Sequence, residues 1–100
     1  MSEVSNERCP GYSEFIDVTA QLGSIYLAKN HDYGNSFEKG MDTMGDVYAI
    51  SRIFDKTNRL VELSKKDVVS KVPEETIIDT LKDLANYAIM TIMYKQKHHE

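Results

Sequence analysis

The chain has 100 residues, of which 41% are hydrophobic and 28% are charged, and its formal net charge is −4. This length and composition are those of one small globular domain and exclude a disordered or membrane-spanning class. The negative charge argues against a nucleic acid polymer as partner, and the single cysteine, Cys9, excludes an intrachain disulfide and fits a reducing cytoplasm.

The predicted elements begin after a polar N-terminal segment. Residues 1–11 lack a periodic pattern and end in a Pro-Gly turn signal, so we expect a flexible segment followed by one helical domain over residues 12–97. From Tyr12, apolar residues recur every three or four positions. This spacing predicts a first helix to about Asn30, with Ser13 as its N-cap.

A stretch rich in charged and small polar side chains, Lys29–Phe37, interrupts the helical pattern. Its residue types fit either an ordinary loop that ends the first helix or a loop that binds a ligand. A short helix is predicted next, from Ser36 to about Met44, and Gly45 ends it.

Two further long helices complete the predicted fold. The third has Asp46 as its cap and runs to about Lys65, and the fourth begins near Pro73, after a linker, and runs to about Lys95. The fold class is therefore all-α, a small bundle of three long helices and one short helix. The third helix carries one apolar stripe, and we expect the apolar stripe of the fourth helix to face the core of the bundle. These stripes are Val47, Ile50, Ile53, Phe54, Thr57, Leu60 and Val61, then Ile77, Ile78, Leu81, Leu84, Ala85, Ala88, Ile89 and Ile92.

The fourth helix carries an acidic row opposite its apolar stripe. Glu75, Asp79 and Asp83 follow at four-residue steps, and Asn86 lies on the same side. Such a row either faces water or borders a cavity, and carboxylates one turn apart suit Mg²⁺, which keeps its other positions for water or phosphate. Asp79 and Asp83 are the first candidates for metal ligands and for catalysis, with Glu75 beside them.

The third helix carries a second polar row of Arg52, Asp55, Arg59 and Glu62. One interpretation is a ladder of ion pairs on the helix surface. The other is that Asp55 or Glu62 joins the metal carboxylates, while Arg52, Arg59 and the nearby Lys56 hold phosphate oxygens.

The fourth helix also has more apolar surface than one bundle can cover. Tyr87, Met90, Met93 and Tyr94 lie outside its core stripe. We therefore expect a homodimer or a larger even-numbered assembly, in which two acidic rows approach each other and sites form between chains.

Three blocks of sequence carry a family resemblance. They are KNHDYGNSF (29–37), DKTNRL (55–60), and Glu75 followed by DTLKDLANYA (79–88). Together they resemble the signature of the nucleotide modification associated domain family, formerly a domain of unknown function, whose small members occur in phages and bacteria. The resemblance favours the ligand-binding interpretation of the first block. It implies that Lys29 meets phosphate, that Tyr33 stacks on a base, that Asp32 and Ser36 bond to sugar or base edges, and that Asn86 lies in the nucleotide site.

That family in turn is similar to the MazG-type all-α nucleoside triphosphate pyrophosphatases, which hold Mg²⁺ with E-x-x-E and E-x-x-D helices. The region around Asp83 is similar to the end of the E-x-x-D motif. The chain departs from this pattern at Thr80, which stands where the first acid is expected, and in the seven-residue spacing of Asp55 and Glu62.

Three hypotheses about function follow from the sequence. The first is a Mg²⁺-dependent nucleotide hydrolase, a dNTP pyrophosphohydrolase of phage or bacterial type in the cytoplasm. The second is a protein that binds or sequesters a nucleotide without cleaving it, which the departures from the MazG pattern favour. The third is a structural helical module, which explains the apolar last helix but leaves the acidic row unexplained.

Overall fold

The structure is a computed structural model that describes residues 9–33, 35–65 and 73–98. Residues 1–8, most of the predicted flexible segment, and 66–72, nearly all of the predicted linker, lie outside these ranges.

Four helices and no strand make up the described part of the chain. They are α1 (Tyr12–Tyr33), α2 (Ser36–Met44), α3 (Asp46–Leu63) and α4 (Glu74–Lys97). The prediction of an all-α fold with three long helices and one short helix is therefore confirmed. The chain divides into two compact units, Met1–Gly34, which holds α1, and Asn35–Glu100, which holds the other three helices. One domain over residues 12–97 stays a prediction.

Helix α1 differs from its prediction at both ends. It begins at Tyr12, directly after Gly11, which adopts a φ of 89°. Ser13 therefore lies inside the first helical turn and is not the N-cap. It continues to Tyr33, three residues beyond the predicted end. The expected interruption at Lys29 was wrong because no glycine or proline stands between residues 29 and 33, and the polar residues there cost a helix only tenths of a kcal/mol each.

Gly45 separates α2 from α3, as predicted. Its φ is 71°, a conformation that glycine adopts without a steric penalty, and its N–H donates to the Met41 carbonyl at 2.8 Å. Gly45 is also the N-cap of α3, so Asp46 is the first helical residue and not the cap. The Asp46 carboxylate instead pairs with Lys95 at 3.0 Å.

Helices α3 and α4 lie antiparallel against each other. Two ion pairs fix this direction, since the beginning of α3 meets the end of α4 at Asp46 and Lys95, and Lys56 meets Asp83 farther along. Helix α2 packs against both of them. Its Phe37 ring lies with its centroid 5.5 Å from that of Tyr48 on α3 and 6.1 Å from that of Tyr87 on α4.

The buried positions of the second unit were not those predicted. Among its described residues the buried apolar side chains are Met41 and Ala49, and α4 buries two polar residues, Thr80 and Asn86. Most of the predicted core stripe is exposed instead, because α3 and α4 meet through the neighbouring faces of each helix. The exposed stripe residues include Val47, Ile50, Phe54, Val61, Ile78, Leu81, Ile89 and Ile92.

Candidate functional site

The contact of α3 with α4 brings predicted site residues from both helices together. Lys56 Nζ lies 3.6 Å from Asp83 Oδ2, and each side chain keeps a little more than a quarter of its surface exposed. At this distance the two groups attract each other without a close hydrogen bond. The pair places a phosphate-binding candidate beside a metal-binding candidate.

Arg52 precedes Lys56 by one turn of α3 and lies on the same side of the helix. Its Nη2 donates to Asp55 Oδ2 at 2.9 Å, and its guanidinium carbon lies 5.9 Å from the centroid of the Tyr48 ring. This geometry combines an ion pair with a cation–π contact. The Arg52 Nε–H, in contrast, is buried and has no hydrogen-bond partner within the described structure. The Arg52 side chain as a whole is 41% exposed, so the outer part of the guanidinium is open to an acceptor such as a phosphate oxygen.

Two tyrosines extend this arrangement by one turn on each helix. Tyr48 comes four residues before Arg52 on α3, and Tyr87 comes four residues after Asp83 on α4. Both rings contact Phe37 of α2. We call the set formed by Tyr48, Arg52, Lys56, Asp83 and Tyr87 the α3–α4 groove. Tyr48 and Tyr87 were not among the predicted site residues. Their four-residue spacing from Arg52 and Asp83 could have identified them, because residues four apart are neighbours on one side of a helix.

The other predicted metal ligands lie outside this groove contact. Asp55 pairs with Arg52, and Glu62 pairs with Lys65 at 3.0 Å, each three residues apart along the chain. Glu75 and Asp79 are exposed on α4. Within the described ranges, no three carboxylate, imidazole or thiol groups come together as a ready metal site.

Two polar residues of α4 are buried near Asp83. Thr80 is 4% exposed, and its hydroxyl donates to the Thr76 carbonyl one turn earlier at 2.8 Å. Asn86, a predicted nucleotide-binding residue, is 9% exposed. Arg59, predicted to hold phosphate, is exposed on α3.

The remaining predicted residues belong to the first sequence block. Lys29 lies near the end of α1 and is exposed, and Ser36 is the exposed first residue of α2. Asp32 and Tyr33 belong to the last turn of α1, but their side chains lie outside the part of the structure that is described. Their proposed contacts with a sugar and a base stay predictions.

A separate cluster of ionisable side chains ties α2 to the end of α4. Glu38 accepts from Lys97 at 3.0 Å and lies 3.4 Å from His98, and these contacts, with Lys97 the larger cause, lower the pKa of the Glu38 carboxyl below 4.5. The Tyr94 hydroxyl donates to Asp42 at 2.6 Å, which together with burial raises the pKa of Tyr94 to about 12. These contacts hold α2 against α4 beside the groove.

The fold and groove define a class of protein, namely a small all-α domain with a row of aromatic, basic and acidic side chains between two antiparallel helices.

None of the helices in the described ranges combines the length and apolar character needed to cross a membrane.

The family to which the chain belongs is nucleotide modification associated domain 1, whose model matches residues 29–94. The match includes the whole of α2 and α3 and most of α4. It confirms the resemblance to this family that the three sequence blocks carry. No curated protein and no solved structure matches the chain significantly, and the resemblance to MazG-type enzymes is without confirmation from these comparisons.

Proposed function

We propose that the chain binds a nucleotide at the α3–α4 groove, with Arg52 and Lys56 on the phosphates. The observation that carries this proposal is the convergence of these two cations with Tyr48, Asp83 and Tyr87 between two helices. Arginine presents a planar fork to phosphate oxygens and lysine adds a point charge, and both form charge-assisted hydrogen bonds. The family to which the chain belongs is compatible with a nucleotide-related ligand.

The contact between Lys56 and Asp83 supports this proposal because it is loose enough to open. Lys56 Nζ and Asp83 Oδ2 are 3.6 Å apart, so their attraction is moderate. A nucleotide phosphate carries more negative charge than a carboxylate and would compete with Asp83 for Lys56. Binding would then draw Lys56 away from Asp83. Gly40, Phe37 and Arg52 surround the ring of Tyr48, so Tyr87 is the groove tyrosine on which a base would stack.

The reaction that we propose for this site is pyrophosphohydrolysis of a nucleoside triphosphate. Water adds to the α-phosphorus, the bond from that phosphorus to the α–β bridging oxygen breaks, and a nucleoside monophosphate and pyrophosphate leave. Arg52 and Lys56 would offset the charge that develops on the leaving oxygen.

Asp79 and Asp83 are the residues that would hold Mg²⁺ at this site. They stand one helical turn apart, and Mg²⁺ takes one or two carboxylates together with phosphate oxygens and water, so a cluster of three protein ligands is not required. Bound Mg²⁺ would supply charge neutralisation at the phosphates. Glu75 is the next carboxylate along the same row, while Asp55 and Glu62 have cationic neighbours on α3.

A second candidate function is nucleotide binding without cleavage. The observation that favours it is Thr80, which stands where the MazG pattern has its first acid and whose hydroxyl is already bonded within its own helix. Thr80 is buried and provides no carboxylate. A protein of this kind would sequester or sense its nucleotide.

Lys56→Met tests the phosphate contact shared by both candidates. Loss of a charge-assisted hydrogen bond of about 1.5–3 kcal/mol weakens binding by roughly 10-fold to 150-fold. Lys65→Met is the matched control, because Lys65 also makes one ion pair with an acid of α3 but stands outside the groove. Calorimetric titration with canonical and modified dNTPs in Mg²⁺ measures the effect. Equal affinity of the two variants for every nucleotide would place the phosphates elsewhere.

Asp83→Asn separates hydrolysis from simple binding. The substitution should abolish the Mg²⁺-dependent part of binding or turnover and leave the thermal midpoint nearly unchanged, because a partly exposed pair at 3.6 Å contributes little to stability. Pyrophosphate release and recovery of intact nucleotide are measured on the same samples. Release by the unmodified protein supports the hydrolase, and saturable binding with full recovery supports the second candidate. An Asp83→Asn protein with unchanged Mg²⁺ dependence would refute the metal assignment.

A further inference from the structure

The hairpin of α3 and α4 has a large apolar face that nothing in the second unit covers. On α3 the exposed residues follow steps of three, four and seven, which places them on one stripe. They are Val47, Ile50, Phe54 and Val61, each more than half exposed. Ala49, which is 2% exposed, marks the side of α3 that is turned inward. At about 100° per residue the exposed stripe is centred about 120° from that inward side.

Helix α4 has a matching stripe. Its exposed residues are Ile78, Leu81, Ile89 and Ile92. Thr80 marks the inward side of this helix, and the stripe is centred about 140° from it, in the same rotational sense along the chain.

The two stripes lie on the same side of the hairpin. Both helices are right-handed and they run antiparallel, so a similar rotation away from the shared contact brings both stripes to one face. The residues that contact α2 lie on the other side, since Tyr48 and Lys97 are rotated about 100° in the opposite sense. The hairpin therefore has one face occupied by α2 and one apolar face. The eight stripe residues of that apolar face are uncharged, and Glu74 and Lys82 flank them on α4.

The apolar face is as large as the largest apolar patch of a usual monomer and approaches the area that each partner of a stable dimer buries. Its eight side chains are 40% to 68% exposed. Seven of the eight are aliphatic, so we take the lower end of the roughly 150–250 Å² that an aromatic side chain buries, which gives roughly 600 Å² presented to solvent. A specific interface buries about 800 Å² on each partner, whereas the largest apolar patch of a monomer is usually about 300–600 Å².

We propose that a second copy of this chain covers this face and forms a two-fold symmetric dimer of α3–α4 hairpins. The eight stripe residues are uncharged, so two copies of the face can pack against each other about a two-fold axis, as an isologous interface requires. The small core of the second unit, where Met41 and Ala49 are its buried apolar residues among those described, leaves most of the available burial to such a contact.

This interface differs from the one predicted from the sequence. Tyr87 and Tyr94, which were assigned to the subunit contact, instead contact Phe37 and Asp42 of α2. The apolar face is rotated away from α2 and from the side of the hairpin at which the groove tyrosines meet Phe37. Each copy would keep its own groove, with sites on the outer sides of the dimer and not between chains. This proposal does not depend on the proposed nucleotide function.

Light scattering after size exclusion, over a dilution series of the full chain, tests the proposal. The expected mass is twice 11.4 kDa, and Phe54→Glu, which buries a charge at the centre of the face, should reduce it to that of one chain. Thr43→Glu is the control, because Thr43 is exposed on α2, which packs on the other side of the hairpin, and the substitution should leave the dimer intact.

Four outcomes decide the matter. A dimer that is lost in Phe54→Glu and kept in Thr43→Glu supports the proposal. A single-chain mass of the unmodified protein at every concentration overturns it. In that case a lower melting temperature of Phe54→Glu would mean that a segment of the same chain covers the face. A dimer that persists in a folded Phe54→Glu also overturns it. Should that variant not fold, the unmodified protein decides, since the melting temperature of a dimer rises with protein concentration and a constant value overturns the proposal.

Discussion

Gly40 lies inside α2, where the ring of Tyr48 from α3 rests against its backbone. A Cβ added at position 40 would stand 2.5 Å from Cζ of Tyr48 and 2.6 and 2.7 Å from the two Cε atoms. Carbon atoms in contact are normally about 3.5–4.0 Å apart, so the ring or the helix must move by about 1 Å. The ring has little freedom to do so, because Phe37 packs against it and Arg52 lies over it.

The expected effect of Gly40→Ala is the difference between two opposing contributions. Overpacking destabilises by about 1–3 kcal/mol, and replacing a glycine inside a helix by alanine stabilises by about 1 kcal/mol. The net loss of stability is therefore about 0–2 kcal/mol. Gly23→Ala isolates the second contribution, because a Cβ on Gly23 of α1 meets no atom of the described structure within 4 Å.

Thermal unfolding followed by circular dichroism at one protein concentration compares the two variants. They should differ by about 1–3 kcal/mol, the overpacking contribution alone, which corresponds to at least about 4 °C in a domain of this size. If Gly40→Ala gains as much stability as Gly23→Ala, the ring of Tyr48 does not lie against α2, and the position of the groove tyrosines is wrong.

Two further predictions concern the contacts between α2 and α4. Tyr94 should ionise near pH 12, and not near 10, in a titration of tyrosinate absorbance, and Asp42→Asn should return it toward 10 because the hydrogen bond to Asp42 is the main cause. Since the folded-state pKa is raised, this contact stabilises fully below pH 10 and is lost as the pH rises through about 12. Glu38 has a lowered pKa, so its contact with Lys97 and His98 stabilises above pH 4.5 and is lost as the pH falls through the lowered value. Lys97→Met should therefore make the melting temperature less dependent on acid pH, and an unchanged dependence would refute the assigned cause.

The helix boundaries that could be predicted are those set by glycine and proline. The limits of α2 at Ser36 and Met44 and the turn at Gly45 agree with the sequence prediction. The turn was predictable because a backbone position with φ of 71° strongly favours glycine. Pro73 directly precedes α4, also as predicted. The end of α1 was missed because polar residues such as Asn30 only weaken a helix, and packing or a glycine must then decide where it stops.

The groove could be predicted only in part. Arg52, Lys56 and Asp83 were chosen from residue type and spacing along single helices, but periodicity carries no information on the register between two helices. The pairing of Lys56 with Asp83 depends on that register. The contribution of Tyr48 and Tyr87 depends also on α2, whose Phe37 joins the two rings.

The core residues of α4 were predicted incorrectly for a physical reason that also bears on how the protein associates. The hydrophobic pattern of a helix shows which side chains avoid water, but it does not show whether the same chain or another one covers them. In this protein Ile78, Ile89 and Ile92 of α4 remain exposed while Thr80 and Asn86 are buried. A buried threonine is tolerated because its hydroxyl bonds to its own helix, whereas an exposed isoleucine row has no such internal compensation. The burial that stabilises this row would come from a second chain, so folding and association would be coupled, and the stability of the groove would depend on protein concentration.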